Sequence, residues 1–159
     1  MLKYVNHDIV FQEYPDEMTL AINLSLCPNQ CPGCHSEYLW GDVGEELTAD
    51  RLLSLLEGYG KNITCVGFMG GDNDPQSLVK LAAQVRLNMP YLKIGWYSGR
   101  PELPTEGFPQ DFPVQLFDYI KLGSWQAACG PLKERTTNQR MYKIVDGRMV
   151  NITERFWKK

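Results

Sequence analysis

The chain has no apolar stretch of the length that a membrane-spanning helix requires, and its first residues lack the apolar core of a secretory signal. It also lacks a run of basic residues: its 159 residues carry a formal net charge of -3, without a long block of either sign. Because basic patches bind nucleic acids and anionic membranes, we expect neither as a partner. These absences predict a cytoplasmic protein.

Cysteine is scarce too, with five in the whole chain. In the reducing cytoplasm, a small and odd number of cysteines indicates metal binding or catalysis before it indicates a disulfide framework. The rest of the composition, with 43% hydrophobic and 22% charged residues, is typical of a globular protein. The length suits one domain, so we expect residues 1–159 to form a single domain with its own core.

The spacing of apolar residues predicts alternating strands and helices through the middle of the chain. Strand patterns cover residues 2–11, 18–24, 63–69, 91–97 and 114–122. One helical pattern ends near Gly58 and Gly60, and a second begins at Asp74 and Pro75. The second helix has one apolar face, formed by Leu78, Ala82, Val85 and Met89. Residues 100–113 are rich in proline, glycine and acids and predict a loop.

The C-terminal region predicts a hairpin, because Asp146-Gly147 separates the strand patterns 141–145 and 148–153. Upstream, the alternation of strand and helix favours parallel βαβ units, whose complete eight-stranded barrel needs about 250 residues. This shorter chain therefore predicts an α/β fold, built as a partial, open (βα) barrel with a C-terminal β-hairpin. In such folds the loops that follow the strands share one face, which is the face that carries active sites.

Three of the five cysteines fall within eight consecutive positions, as Cys27-x3-Cys31-x2-Cys34. Three thiolates at these spacings can converge on one metal centre, and a [4Fe–4S] cube held by three of them leaves one iron open to another ligand. Two other interpretations stay open: a zinc site completed by His35 or His7, and buried thiols without a metal. Zinc sites usually combine two separated C-x2-C pairs, and the chain has no second pair.

The other two cysteines predict structural roles. Cys65 lies within a predicted buried strand, and Cys129 stands alone near Gly130. Both positions favour packing thiols over metal ligands, because isolated cysteines are among the most frequently buried residues.

The cysteine motif, placed just past the first strand of an α/β domain, resembles the signature of the radical S-adenosylmethionine (SAM) enzymes. The resemblance implies one [4Fe–4S] cluster on the three cysteines, with SAM chelating the open iron and giving a 5′-deoxyadenosyl radical on reductive cleavage. Gly70-Gly71-Asp72 is similar to that family's Gly-Gly-Glu-type motif, which contacts the methionine amino group. Two glycines let the backbone approach a ligand closely, and Asp72 offers a carboxylate to an ammonium group.

The likeness narrows to the anaerobic (class III) ribonucleotide reductase-activating proteins and covers about residues 4–157. It is carried by the short length, the Met-Gly-Gly-Asp turn, and the stretches Trp96-Tyr97-Ser98-Gly99, Asp118-Tyr119-Ile120-Lys121-Leu122-Gly123 and Thr137-Asn138-Gln139-Arg140. It implies an oxidoreductase that abstracts hydrogen from a glycine of the large reductase subunit, using an electron from a reduced flavodoxin-like donor. The rivals are another radical SAM enzyme that acts on a small molecule or on a different glycyl-radical enzyme, a non-catalytic zinc-binding module, and a simple electron-transfer iron–sulfur protein.

Five further side chains are candidates for the site that this resemblance implies. Ser98 either contacts the SAM methionine or ribose or caps its own turn. His35 stands where many family members have an aromatic ring that packs on adenine, so it either takes up that contact or is a polar loop residue. Lys121 is either functional or turned outward, because an inward lysine needs a partner. Asn138 and Arg140 either touch the partner or close the site, or they are solvated loop residues.

Overall fold

The computed structural model describes residues 2–11, 13–14, 17–25, 41–108, 111–124, 126, 128–130 and 132–157. Within these ranges the chain forms one eight-stranded mixed sheet and two α-helices. The cysteine motif and His35 lie outside the described residues. The elements in chain order are β1 (Lys3–Val10), β2 (Thr19–Leu24), β3 (Glu45–Glu46), α1 (Ala49–Tyr59), β4 (Cys65–Met69), α2 (Pro75–Asn88), β5 (Lys93–Tyr97), β6 (Tyr119–Leu122), β7 (Arg140–Val145) and β8 (Arg148–Asn151).

The sheet has the order β3-β1-β2-β4-β5-β6-β7-β8. Its four middle strands, β2, β4, β5 and β6, are parallel, and antiparallel strands flank them on both sides. Among the described strands β3 and β8 are the two edges and do not pair with each other, so the sheet is open. The described part of the chain thus has a mixed α/β fold with an open sheet. A barrel of the radical SAM type stays a prediction.

Helix α2 begins, and helix α1 ends, where the local sequence predicts. Asp74 caps α2 by accepting a hydrogen bond from the Ser77 amide at 3.2 Å, and Pro75 opens its first turn. Helix α1 runs through Gly58 and ends at Tyr59, with Gly60 as its C-cap. None of the described helices is long and apolar enough to cross a membrane.

The two helices pack on one face of the sheet and bury a shared apolar core. Each fully buried leucine, isoleucine or phenylalanine side chain contributes about 1.5–3 kcal/mol of transfer free energy. The completely buried members, which come from both helices and from the four parallel strands, are Leu20, Ile22, Leu52, Val66, Phe68, Leu78, Ala82, Val85, Ile94, Trp96 and Ile120. Strand β4 is buried on both faces, as its nearly unbroken apolar sequence predicts.

On the opposite face of the sheet the ring of Tyr14 packs in a second, smaller apolar cluster with Cys65, Tyr119, Leu132 and Met141. Gly67 and Gly95 are paired across β4 and β5, and a methyl group on either would collide with this ring. The ring also contacts Tyr97 and Tyr119, at centroid distances of 5.1 and 5.4 Å. Because the two glycines have no side chains, Tyr14 can lie directly on the sheet, where it is 0% exposed.

The structure corrects the predicted strand 114–122. Of residues 114–122 only Tyr119–Leu122 is a strand, while Val114–Leu116 forms a 3₁₀ turn. The reason lies just before β6, where the Asp118 carboxylate accepts hydrogen bonds from the Ile94 amide and from Arg86, each at 2.9 Å. These contacts fix the start of β6, so the apolar residues before it belong to the connection.

The antiparallel strands at the two sides of the sheet, β7 and β8 on one side and β1 on the other, lie close to where the sequence predicts strands. Val145 pairs with Arg148, and Asp146 and Gly147 form the tight turn with φ of +52° and +75°. Strand β8 stops at Asn151, and residues 153–156 form a 3₁₀ helix instead of extending the predicted strand. At the other end, β1 is an edge strand over most of its length, because the two-residue strand β3 covers only its start.

We expect Gly95→Ala to lower the free energy of unfolding by about 1–3 kcal/mol, because the new methyl group must displace the Tyr14 ring. Gly58→Ala is the matched control, since nothing lies within 4 Å of its added Cβ. In helix α1 this change should stabilise the fold by about 0.5–1 kcal/mol. Urea unfolding measures both, and a Gly95→Ala loss that persists in a Tyr14→Ala background would show that the ring is not the cause.

Candidate functional site

The carboxyl ends of the four parallel strands lie side by side at one edge of the sheet, which we call the carboxyl edge. In the register, Asn23 pairs with Met69, Met69 with Tyr97, and Tyr97 with Lys121. The segments that follow these strands therefore start from the same edge, as predicted. The segment after β2 contains the cysteine motif, and its described part ends at Ser25.

The two glycines that follow β4 pack against Leu24 at the end of β2. Gly70 and Gly71 have φ of +110° and +95°, a region that glycine enters at little cost. A Cβ on Gly71 would lie 3.2 Å from Leu24 Cδ1, and a Cβ on Gly70 would lie 3.4 Å from the Leu24 carbonyl oxygen. The Gly70 amide donates to the Tyr97 carbonyl at 3.0 Å, and Trp96 Nε1 donates to the Gly70 carbonyl at 2.7 Å. The turn is thus held between the ends of β2 and β5.

The carboxylate of Asp72 is buried within this turn, with its side chain only 1% exposed. Ser98 Oγ donates to Asp72 Oδ1 at 2.6 Å, and the Gly99 amide donates to Oδ2 at 2.9 Å. The predicted site residues of β4 and β5 are therefore in direct contact. The predicted contact between Asp72 and a ligand ammonium group stays a prediction.

Arg100 belongs to the same network, although the sequence did not single it out. Its Nη2 donates to the Asp72 carbonyl at 2.8 Å, and its amide donates to Ser98 Oγ at 3.0 Å. Its carbonyl accepts from the Gly123 amide at 2.7 Å, which adds the loop after β6. An arginine after Ser-Gly looks like any solvated loop residue, so only the tertiary contacts identify it.

Ser98 and Lys121 have internal contacts that bear on their predicted roles. The Ser98 hydroxyl donates to Asp72 and accepts from the Arg100 amide, which is the turn-capping role. A contact between Ser98 and SAM stays a prediction. The Lys121 ammonium lies 4.2 Å from the centroid of the Tyr97 ring, a cation–π contact that satisfies part of the partner requirement of a half-buried lysine.

The segment before β7 lies against the loop after β6 at the same edge. A Cβ on Gly123 would lie 2.9 Å from Gln139 Cα, and Asn138 Nδ2 donates to the Ser124 carbonyl at 3.0 Å. Arg140 is exposed, and its Nη1 donates to the carbonyls of Thr137 and Gln139 at 2.7 and 2.8 Å. Both predicted candidates of this segment are thus near the edge, and their contact with a partner stays a prediction.

Neither of the two described cysteines belongs to a metal-binding group of described residues. Burial raises the pKa of Cys65 to about 12, and the thiol donates to the Val66 carbonyl within β4. Cys129 is half-buried, with its sulfur 3.4 Å from Gln126 Oε1. Nδ1 of His7 lies 2.7 Å from the hydroxyl of Tyr59. The described residues contain no group of three or more His, Cys, Asp or Glu that could hold a metal ion.

Comparisons of the chain with protein-family models, with curated proteins and with solved structures found no match. The cysteine spacing and the contacts at the carboxyl edge are therefore the observations that bear on function.

We expect Asp72→Asn to lower the free energy of unfolding by about 1–3 kcal/mol, because an amide nitrogen replaces one of two buried acceptors. The control is Asp74→Asn, since asparagine caps a helix about as well as aspartate and the change should stay within about 0.5 kcal/mol. Urea unfolding compares the two. Equal losses of unfolding free energy in the two variants would show that the hydrogen bonds of Asp72 stabilise the fold no more than the helix cap of Asp74.

We expect iodoacetamide at about pH 8 to modify Cys129 far faster than Cys65 in the folded protein, because the reagent attacks an accessible thiolate. Burial both shields Cys65 and raises its pKa. Peptide mapping by mass spectrometry follows each site separately. In urea the two rates should become similar, whereas similar rates in the native protein would contradict the buried position of Cys65.

Proposed function

We propose that this chain is a radical SAM glycyl-radical activase of the cytoplasm. Cys27, Cys31 and Cys34 hold one [4Fe–4S] cluster, and SAM binds the iron that has no cysteine. When bound, these groups would supply one-electron cleavage of SAM to methionine and a 5′-deoxyadenosyl radical, which takes a hydrogen atom from a glycine Cα of the partner. The partner is the large subunit of an anaerobic ribonucleoside-triphosphate reductase, and the electron comes from a reduced flavodoxin-like donor.

The observation that carries the proposal is the packing of Gly70 and Gly71 against Leu24. Only Ser25 and Leu26 separate Leu24 from Cys27 in the sequence, and three residue steps of chain span at most about 11 Å. The Gly-Gly-Asp turn and the first cysteine are therefore within reach of a single bound ligand. A Gly-Gly-Asp turn elsewhere in the fold would support no such link.

The described residues at the carboxyl edge fit SAM in two respects. Gly70 and Gly71 carry no side chains, so a ligand can approach the main chain of the turn closely. The Asp72 carboxylate, which follows the two glycines, is a group of the kind that pairs with an ammonium group. His35 and Lys121 are the further candidates for SAM contacts in this proposal, at the adenine and near the end of β6.

The open sheet also suits a protein substrate. A small molecule is usually enclosed by its enzyme, whereas a glycine in a partner's loop must be admitted from outside. The work of this chain is to orient SAM toward that glycine and to exclude water, since the radical chemistry belongs to the cofactor. Asn138 and Arg140, beside the loop after β6, are candidates for contact with the partner.

We expect Cys27→Ala, Cys31→Ala and Cys34→Ala each to abolish cluster binding and the formation of 5′-deoxyadenosine, because each removes one iron ligand. The matched controls are Cys65→Ala and Cys129→Ala, which should retain both. Anaerobic reconstitution followed by iron analysis measures the cluster, and reduction with dithionite in the presence of SAM measures the cleavage.

Three outcomes separate the proposal from its rivals. Stoichiometric zinc without iron in anaerobically purified protein would indicate a zinc-binding module. A cluster without any cleavage of SAM would indicate an electron-transfer protein. Cleavage without a glycyl radical on the reductase, as measured by electron paramagnetic resonance, would indicate a radical SAM enzyme with another substrate.

A further inference from the structure

We propose that Arg100 is a positioning residue, which holds the Gly70-Gly71-Asp72 turn in the conformation that binds SAM. The inference rests on the proposed function, because it assigns Arg100 a role toward the same ligand. Arg100 acts through the turn, and no direct contact between its side chain and SAM is part of the proposal.

Contacts from β5 and its loop hold the main chain of the turn at both ends, at Gly70 through Tyr97 and Trp96 and at Asp72 through Arg100. Two consecutive glycines have more accessible backbone conformations than any other pair of residues, so their peptide planes are not fixed by local sterics. Ser98 and Gly99 bind only the side-chain oxygens of Asp72. The 2.8 Å hydrogen bond from Arg100 Nη2 to the Asp72 carbonyl holds the main chain at the C-terminal end of the turn, beyond both glycines.

Arg100 is in turn fixed by the neighbouring loops. Its amide donates to Ser98 Oγ, and its carbonyl accepts from the Gly123 amide. A single residue thus connects the loops after β4, β5 and β6, and its side chain reaches back to the turn. Displacement of Arg100 would release the carbonyl of Asp72 while leaving the strands paired.

The contacts require the shape of a guanidinium group. While Nη2 binds the Asp72 carbonyl, Nε lies 3.9 Å from Asp72 Oδ1, too far for a hydrogen bond but close enough for attraction between charges. The Arg100 side chain is 38% exposed, so this attraction is screened and the hydrogen bond is the more important contact. A lysine has one ammonium group and cannot take both positions.

Arg86 is a matched control, because it makes similar contacts at the amino ends of the parallel strands. Arg86 donates through Nη2 to the Leu116 carbonyl at 2.8 Å and to Asp118 Oδ2 at 2.9 Å. Its side chain is 31% exposed, close to that of Arg100. This arginine also joins a main-chain carbonyl to an aspartate, but at the amino ends of β5 and β6. Its loss should affect stability without affecting the Gly-Gly-Asp turn.

The test compares Arg100→Lys, Arg100→Ala and Arg86→Lys in the full chain with a reconstituted cluster. Titration with SAM in the absence of reductant gives Kd, and amide hydrogen exchange of peptides that span residues 70–74 reports the order of the turn. We expect both Arg100 variants to raise Kd about tenfold or more, as loss of one positioning hydrogen bond predicts. Exchange at residues 70–74 should become faster. Arg86→Lys should leave both the Kd for SAM and the exchange rate at residues 70–74 within about twofold of the wild-type values.

Failure of this role and failure of the proposed function give different results. Wild-type protein that binds SAM with an affinity unchanged in Arg100→Lys and Arg100→Ala would overturn the positioning role alone. Wild-type protein that holds a cluster but does not bind SAM would overturn the proposed function and this role with it. Equal weakening by Arg86→Lys would also overturn the role, since it would indicate a general loss of stability.

Discussion

Parallel hydrogen bonding among β2, β4, β5 and β6 is the constraint on which the arrangement of this molecule depends. Because β2, β4 and β5 run in the same direction, α1 and α2 must return the chain between them, and both do so on one face. The shared direction also brings the segments after all four strands to one edge. Gly70 meets Leu24 there, and Ser98 meets Asp72, although these pairs are far apart in the sequence.

The two faces of the sheet are closed in different ways. Helices cover one face with leucine and valine side chains, whereas the other face receives Tyr14 against Gly67 and Gly95. This arrangement buries the described part of the sheet without closing it into a barrel. The buried Asp72 carboxylate then adds directional hydrogen bonds at the carboxyl edge, which an apolar contact would not provide.

Local chemistry made much of the fold predictable. Asp74 and Pro75 begin a helix through contacts within one turn of chain, and Asp146-Gly147 forms its hairpin with the φ values that this pair readily adopts. The segment 114–116 was not predictable in this way. Its apolar residues suit a strand, but the contacts of Asp118 with Arg86 and Ile94 decide where β6 begins. Those partners are 24 or more residues away.

The sequence by itself determined most of the strand and helix segments, the hairpin, and the spacing of Cys27, Cys31 and Cys34, because these depend on neighbouring residues. Only the tertiary structure decided that Asp72 turns its carboxylate toward Ser98 and Gly99, and that Arg100 joins three loops. The physical reason is that a buried polar group takes its hydrogen-bond partners from whichever segments the sheet brings beside it. Spacing along a chain does not encode that choice.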